Sequence, residues 1–321
     1  MYTAEYVKAR PLLIEAMDIR PRVQGTKHFD YARVLHDLGY LYFELGNYSK
    51  AEPLLLSAVN AMSSIVDTAD PNYAVCLIDL ADLYMEMGNY TTSERFFLEG
   101  KGIISKVLGK ESPDYPMAAF KLANLYLDMG RYAKSEPLYL EAMGIYRAEL
   151  VGKDLTSHYA NASNNLAQLY MQLGDFISAE SLYLEAKDIW AKKLGEGQSR
   201  YALSLNNLAV LYKQIGDYFK AEPLFLEAKD IWAKELGKEH PNYADVLNNL
   251  ALLYLKIDLP SKDEPLLLEA KDIHTNILGK DTSSICYLFD QPCHVIYANG
   301  QLQKSRTIVA GCNTASGKYH R

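Results

Sequence analysis

The sequence offers little sulfur chemistry: four cysteines among 321 residues are too few for a disulfide framework. Positive charge is also short. With 33 basic and 40 acidic residues the net charge is −7, which argues against a general nucleic-acid binder, since that needs a basic stripe to neutralise phosphates. Long apolar runs are missing. No stretch reaches the ~18–20 residues of a membrane span, and the opening Met1-Tyr2-Thr3-Ala4-Glu5 lacks the basic and then apolar segments of a secretory signal. These absences point to a reducing, cytoplasmic setting with no membrane partner. Tryptophan (2) and phenylalanine (9) are sparse, yet there are 25 tyrosines. Hydrophobic residues make up 49% of the chain, enough for a large core and too many for a disordered chain. The length would suit two or three ordinary domains, or one elongated array.

An internal repeat decides between these. Gly46-Asn47-Tyr48 recurs as Gly88-Asn89-Tyr90, Gly130-Arg131-Tyr132, Gly174-Asp175-Phe176 and Gly216-Asp217-Tyr218, with glycines 42, 42, 44 and 42 residues apart. The next step of 42 falls on Asp258, and the two extra residues of the 44-residue step fall between Val151 and His158. Before each glycine comes Leu-Ala/Gly-x-x-Tyr, with tyrosines at 42, 84, 126, 170, 212 and 254. After it comes Ala/Ser-Glu-x-Leu (Phe96 in the second repeat) and then a small residue: Ala51 and Ala58, Ser93 and Gly100, Ser135 and Ala142, Ala179 and Ala186, Ala221 and Ala228. Spacings of 3, 4 and 7 define one face of a helix. Each repeat therefore reads as helix A, tight turn, helix B. In the fifth, Gly216 ends helix A in the left-handed conformation, Asp217 caps helix B, Pro223 falls in about its first turn, and Gly237 stops it. In the sixth, helix A runs from about Tyr243 to Lys256.

These residues resemble the tetratricopeptide repeat family, whose usual unit has 34 residues with the pattern W-x2-L-G-x2-Y. The longer form here, with Leu-Asn-Asn-Leu-Ala and Leu-Gly-Lys-Glu-His-Pro-Asn-Tyr-Ala, is similar to the kinesin-light-chain subclass. The resemblance covers residues 5 to 280. It implies an all-α fold, a right-handed α-solenoid of stacked antiparallel helix pairs whose A helices line a concave groove. The expected organisation is a lone helix B over residues 1–20, six repeats over 21–280, and a degenerate repeat or poorly ordered tail over 281–321, where Pro292 takes the place of Leu250 in the middle of helix A. Residues 5–20 match helix B alone, so they are either a cap or the sign of a fragment.

The resemblance implies a non-catalytic scaffold that binds a partner peptide or helix, with no cofactor, metal, nucleic acid or small-molecule substrate. A kinesin-light-chain-like cargo adaptor and the sensor portion of a larger signalling protein are alternatives, although no coiled-coil heptads support the first. The candidate groove residues are Asn164, Asn165, Asn206, Asn207, Asn248, Asn249, Gln168, Asn124, Asp82, Asp79 and Lys213. An asparagine both donates to and accepts from a peptide backbone. In each Asn-Asn pair one member can instead tie a helix to its neighbour. The early A helices carry Asp37, Glu44, Asp79, Asp82, Glu86 and Asp128, and the later ones carry Asn165, Gln172, Asn207, Gln214, Asn249 and Lys256. The groove thus runs from acidic to neutral, which suggests a basic partner segment for the first half, or simply a solvated charged face.

Other chemistry fails on spacing. Gly311 to Tyr319 has five residues between its glycines instead of the four of a phosphate loop, and Tyr319 replaces the Ser/Thr that would hold magnesium. Cys286, Cys293, His294, Cys312 and His320 lack the short pairings of a zinc site. Cys76 is read as a packed thiol. Trp190 and Trp232 share a column with Met62, Ile104, Tyr146 and His274, taken as packing between repeats or as part of an exposed aromatic patch.

Overall fold

The computed structural model describes residues 2–25, 28–66, 69–148, 156–195, 197–278, 295–298 and 301–304. Among them are thirteen helices: α1 (Tyr2–Gln24), α2 (Phe29–Glu44), α3 (Tyr48–Ile65), α4 (Pro71–Glu86), α5 (Tyr90–Val107), α6 (Asp114–Asp128), α7 (Tyr132–Ala148), α8 (Thr156–Leu173), α9 (Phe176–Leu194), α10 (Ser199–Ile215), α11 (Tyr218–Glu235), α12 (Pro241–Lys256) and α13 (Pro260–Leu278). The fold is that of an α-solenoid: α1 is B-type and packs on α2, and the even-numbered A helices each precede their B helix. The chain forms two compact blocks, Met1–Leu169 and Tyr170–Arg321.

The turn between helices A and B follows from two residues. Gly216 takes φ 91°, a conformation that costs a residue with a Cβ roughly 1–2 kcal/mol. The next N–H, of Asp217, donates back to the carbonyl of Tyr212 at 2.9 Å, closing the helix end in a Schellman arrangement. The equivalent bonds run from Asn47 to Tyr42 and from Asn89 to Tyr84, both at 2.8 Å. In the sixth repeat Asp258 adopts the left-handed turn itself, at φ 56°. The Asp217 carboxylate then accepts from the Lys220 N–H at 3.2 Å and caps α11.

Small residues bring helix B against helix A. A Cβ on Gly100 would lie 2.8 Å from Ile78 Cγ1 and 3.0 Å from the Ala74 carbonyl, so the backbone of α5 uses the space a side chain would need. Ser93 and Ser135 occupy the other small column fully buried, and each hydroxyl donates to an A-helix carbonyl, Ala81 at 2.8 Å and Ala123 at 2.7 Å. In the N-terminal block the core gathers Leu55, Leu77, Leu80 and Leu83 around α3 and α4, and Phe97, Tyr115, Leu122 and Leu125 around α5 and α6. In the C-terminal block Phe225, Trp232, Leu247 and Leu250 are buried. Each such side chain contributes about 1.5–3 kcal/mol. Both tryptophans and their column mates Met62, Ile104, Tyr146 and His274 are buried, so this column is packing. Trp232 Nε1 donates to Ser199 Oγ at 3.0 Å.

The tyrosine hydroxyls land on two glutamate columns. At the end of helix A, Tyr84, Tyr126 and Tyr254 donate to Glu52, Glu94 and Glu222 of the preceding repeat's helix B at 3.0, 2.9 and 2.7 Å. Tyr212 does the same to Glu180. At the start of helix A, Tyr115 and Tyr243 donate to Glu141 and Glu269 of their own repeat at 3.0 and 3.1 Å.

Two details depart from the sequence reading. Pro223 is the sixth residue of α11 and sits in the second turn, because Asp217 caps the helix directly and so fixes an early start. His158 is already helical, since α8 begins at Thr156. In the C-terminal segment Val295–Ala298 and Gln301–Lys304 pair as an antiparallel hairpin, β1 and β2. Pro292, Cys286, Cys293, His294, Cys312, His320 and the glycine-rich segment 311–319 lie outside the described residues.

Candidate functional site

One face of the A helices carries repeating polar columns, and side chains in these columns meet across neighbouring A helices. In the N-terminal block His36 of α2 donates from Nε2 to Asp79 Oδ2 of α4 at 2.8 Å, and its Nδ1 lies 3.4 Å from Asp37 Oδ1. Lys121 of α6 donates to Asp79 Oδ1 at 3.3 Å and also to Asp82. Burial alone would discharge His36, but its bonds to Asp37 and Asp79 outweigh that and raise its pKa to about 9. Burial likewise opposes the Asp79 carboxylate, yet the His36 bond and the Lys121 charge hold its pKa below the ordinary value. Burial raises the Asp82 pKa to about 6, with Lys121 only partly offsetting it. The acidic face foreseen from the sequence is therefore partly neutralised from within: Asp79 and Asp82 are engaged by His36 and Lys121.

The asparagine columns divide. Asn165 of α8 donates from Nδ2 to Asn124 Oδ1 of α6 at 2.8 Å, and Tyr139 donates to the same oxygen at 2.6 Å. In the C-terminal block Asn249 of α12 donates to Asn206 Oδ1 of α10 at 3.2 Å, and its own Oδ1 accepts from Lys213 Nζ at 3.2 Å. These contacts tie one A helix to the next. Asn164 and Asn248 are 6% and 9% exposed, and the Oδ1 of each has no partner among the described residues. A buried acceptor without a donor costs roughly 1–3 kcal/mol, and each of these oxygens has less than 1 Å² of accessible surface, so a donor from outside reaches it only once the side-chain amide turns toward the groove. Asn207 is half-buried and Gln168 exposed.

Lys213 departs from its column. The equivalent residues Phe43, Met85, Leu127, Met171 and Leu255 are apolar. Burial lowers its pKa to about 8, and the like charge of Lys256 adds to this. Lys213 is a groove candidate on sequence, but its burial in an otherwise apolar column and the pairing of His36 and Lys121 with Asp79 emerge only in the structure. The signal for the pairing was present: residues 36, 79 and 121 are 43 and 42 apart, about one repeat each, and differ in charge. Among the described residues no group of three or more His, Cys, Asp or Glu could hold a metal ion, and no helix is long and apolar enough to cross a membrane.

The profile of the tetratricopeptide repeat family matches residues 1–64, 73–148, 158–228 and 200–262. No curated protein matches the chain. Among solved structures, the fold is similar to a kinesin light chain-like protein from Podosopora anserina with nearly identical TPR-like repeats. The identity is 24%, over 64% of this chain and 97% of that one, with a TM-score of 0.56. It is also similar to a signal transduction ATPase with numerous domains from Pyrococcus horikoshii that carries a tetratricopeptide repeat sensor. There the identity is 21%, over 88% of this chain and 41% of that one, at TM-score 0.57. The Cut9 and Hcn1 assembly of the APC/C matches at 13% identity and TM-score 0.60, over 88% of this chain and 46% of that one.

Proposed function

Because the chain belongs to the tetratricopeptide repeat family, we propose that it is a non-catalytic protein-interaction scaffold whose A-helix face receives a partner peptide or helix. The observation that carries this is the pair of buried asparagines with open acceptors, Asn164 in the N-terminal block and Asn248 in the C-terminal block. Buried polar groups in folded proteins are almost always satisfied; in this reading each amide turns toward the groove on binding and accepts a partner's backbone N–H. Asn206 and Asn249, held by each other, present preset polar edges beside Asn248, so little receptor entropy is lost on binding. A cytoplasmic location belongs to the same reading and rests on the sequence, which has too few cysteines for a disulfide framework.

The test separates binding from folding. Asn164→Ala and Asn248→Ala remove open acceptors without breaking a tie between helices, whereas Asn206→Ala breaks one. Chemical cross-linking of the full chain in an extract of its own cells, compared across these variants, reads partner capture, and circular dichroism reads the fold. The reading expects the Asn164→Ala/Asn248→Ala protein to lose its captured partners at unchanged helicity. Retention of every partner would place binding elsewhere on the molecule.

A further inference from the structure

Resting on that reading and narrowing it, we infer that the N-terminal block recognises a partner segment that couples one large apolar side chain to a nearby lysine or arginine. The seat is a cavity of about 470 Å³ bounded by α1, α2, α4, α5 and α6, a size typical of ligand pockets. Its floor is apolar, with Leu13, Leu41 and Ile78. Two further apolar side chains, Val75 and Met117, remain 42% and 39% exposed where they line it. Covering apolar surface that is left in water is favourable, so the cavity rewards an apolar anchor.

The charge around that anchor is not neutral. The lining carries three carboxylates, Asp37, Asp79 and Asp114, against two cations, His36 and Lys121. Both cations are already shared among carboxylates: His36 between Asp79 and Asp37, Lys121 between Asp79 and Asp82. Asp37 keeps close to half of its side-chain surface in water, and the other cation near it, Arg33, stands 4.0 Å away and is itself well exposed. Asp114 opens α6 on the other side of the cavity. A positive side chain entering beside the anchor meets unbalanced carboxylates, whereas a negative one meets Asp37, Asp114 and, behind Lys121, Asp82. The same surplus excludes a nucleic-acid backbone and an acidic peptide. The partner is thus a protein segment with an apolar residue next to Lys or Arg.

A display library of random peptides of about 12 residues, selected on the full chain, tests this. Selected sequences are remade as labelled peptides and their affinity is measured by fluorescence anisotropy on four proteins: wild type, Val75→Arg/Met117→Arg, Asp37→Asn, and Asn164→Ala/Asn248→Ala. Val75 and Met117 already face solvent, so the double variant is expected to keep its melting curve. If that curve shifts, Val75→Gln/Met117→Gln takes its place. The inference expects selected peptides to pair Leu, Met or Phe with a nearby Lys or Arg. They should weaken about tenfold or more on the mouth variant and roughly three- to tenfold on Asp37→Asn. The preference for Lys over Gln in the peptide should shrink as salt rises from about 0.1 M to about 1 M, which shortens the screening length from ~10 to ~3 Å. Peptides that are acidic or uncharged, or that ignore the mouth variant, would overturn it. If such peptides still need Asn164 and Asn248, the inference falls while the A-helix reading stands. If they need neither set, both fall.

Discussion

Lys213 and His36 are both buried ionisable groups on the A-helix face, and they act on stability with opposite sign. Burial and the charge of Lys256 lower Lys213 to about 8 from 10.5, so the folded protein holds this proton more weakly than the unfolded chain does. Lys213 therefore destabilises the fold at neutral pH, and the cost fades as pH rises through about 8 toward 10.5. Its column is apolar in every other repeat. Lys213→Leu should thus raise stability at pH 7 by on the order of 1 kcal/mol, with the gain shrinking from about pH 8 and mostly gone by pH 10. Denaturant midpoints of the two proteins at pH 7 and pH 10 measure this, and a variant less stable than wild type at pH 7 would contradict it. His36 is the reverse case. Its pKa is raised from 6.5 to about 9 by Asp37 and Asp79, so its contribution is complete below pH 6.5 and is lost as pH rises through about 9. His36→Asn should cost roughly 2 kcal/mol near pH 6 and almost nothing by pH 10. A cost that is flat across this range would mean that packing, and not the ion pair, is what His36 supplies. Neither behaviour could be read from composition. The tyrosines that end helix A, by contrast, were legible as spacing, while the glutamates that receive their hydroxyls were visible only as part of Ala/Ser-Glu-x-Leu. A hydrogen bond between residues 32 apart, as from Tyr126 to Glu94, depends on how one repeat stacks on the next, and a single helical wheel does not contain that.

At the level of elements, local chemistry sets the boundaries. The reading of Gly216 as terminator and Asp217 as cap needs only neighbouring residues, and both functions hold in the structure. Pro223 falls in the second turn because the cap fixes the start, and a proline is tolerated there at the loss of one helix hydrogen bond. The sixth repeat gives the sharper test of this logic. Asp258 holds the left-handed conformation at φ 56° that glycine supplies in the five preceding A–B turns, and no Cβ is needed there to build the turn. Asp258→Gly should stabilise the protein by about 0.5–1 kcal/mol, the relief of left-handed strain being offset in part by the greater freedom of glycine when unfolded. Thermal unfolding reads the shift. The control is Gly216→Asp, which imposes the same strain on α10 and should lower stability by about 1 kcal/mol. If both substitutions were neutral, the turn would owe its shape to the packing of the helices and not to the residue at its apex.

Across the whole molecule, a repeat array stabilises each unit through its neighbours, so a defect should stay close to where it is made. This follows from how the contacts are built. Leu80 of α4 sits in a cluster with Leu55 of α3, Leu77 and Leu83, and α4 also reaches α2 and α6 through Asp79. The hydroxyl of Tyr84 joins α4 to Glu52 of the previous repeat. All of these partners lie within one repeat of Leu80. Helix pairing could be read from 42-residue periodicity because each unit restates the same short-range pattern. The charge network on the A-helix face could not, because it pairs single, unrepeated substitutions such as His36 and Lys121 across three different repeats. Leu80→Ala should cost about 2–5 kcal/mol. Hydrogen exchange should register it as lost protection in α3 to α6, and little change should reach α10 to α12 of the C-terminal block. Protection lost evenly along the chain would mean that the array opens as one cooperative body. In that event a ligand seated on the N-terminal block would stabilise α12 as strongly as α4, and the two A-helix faces could not select their partner segments independently.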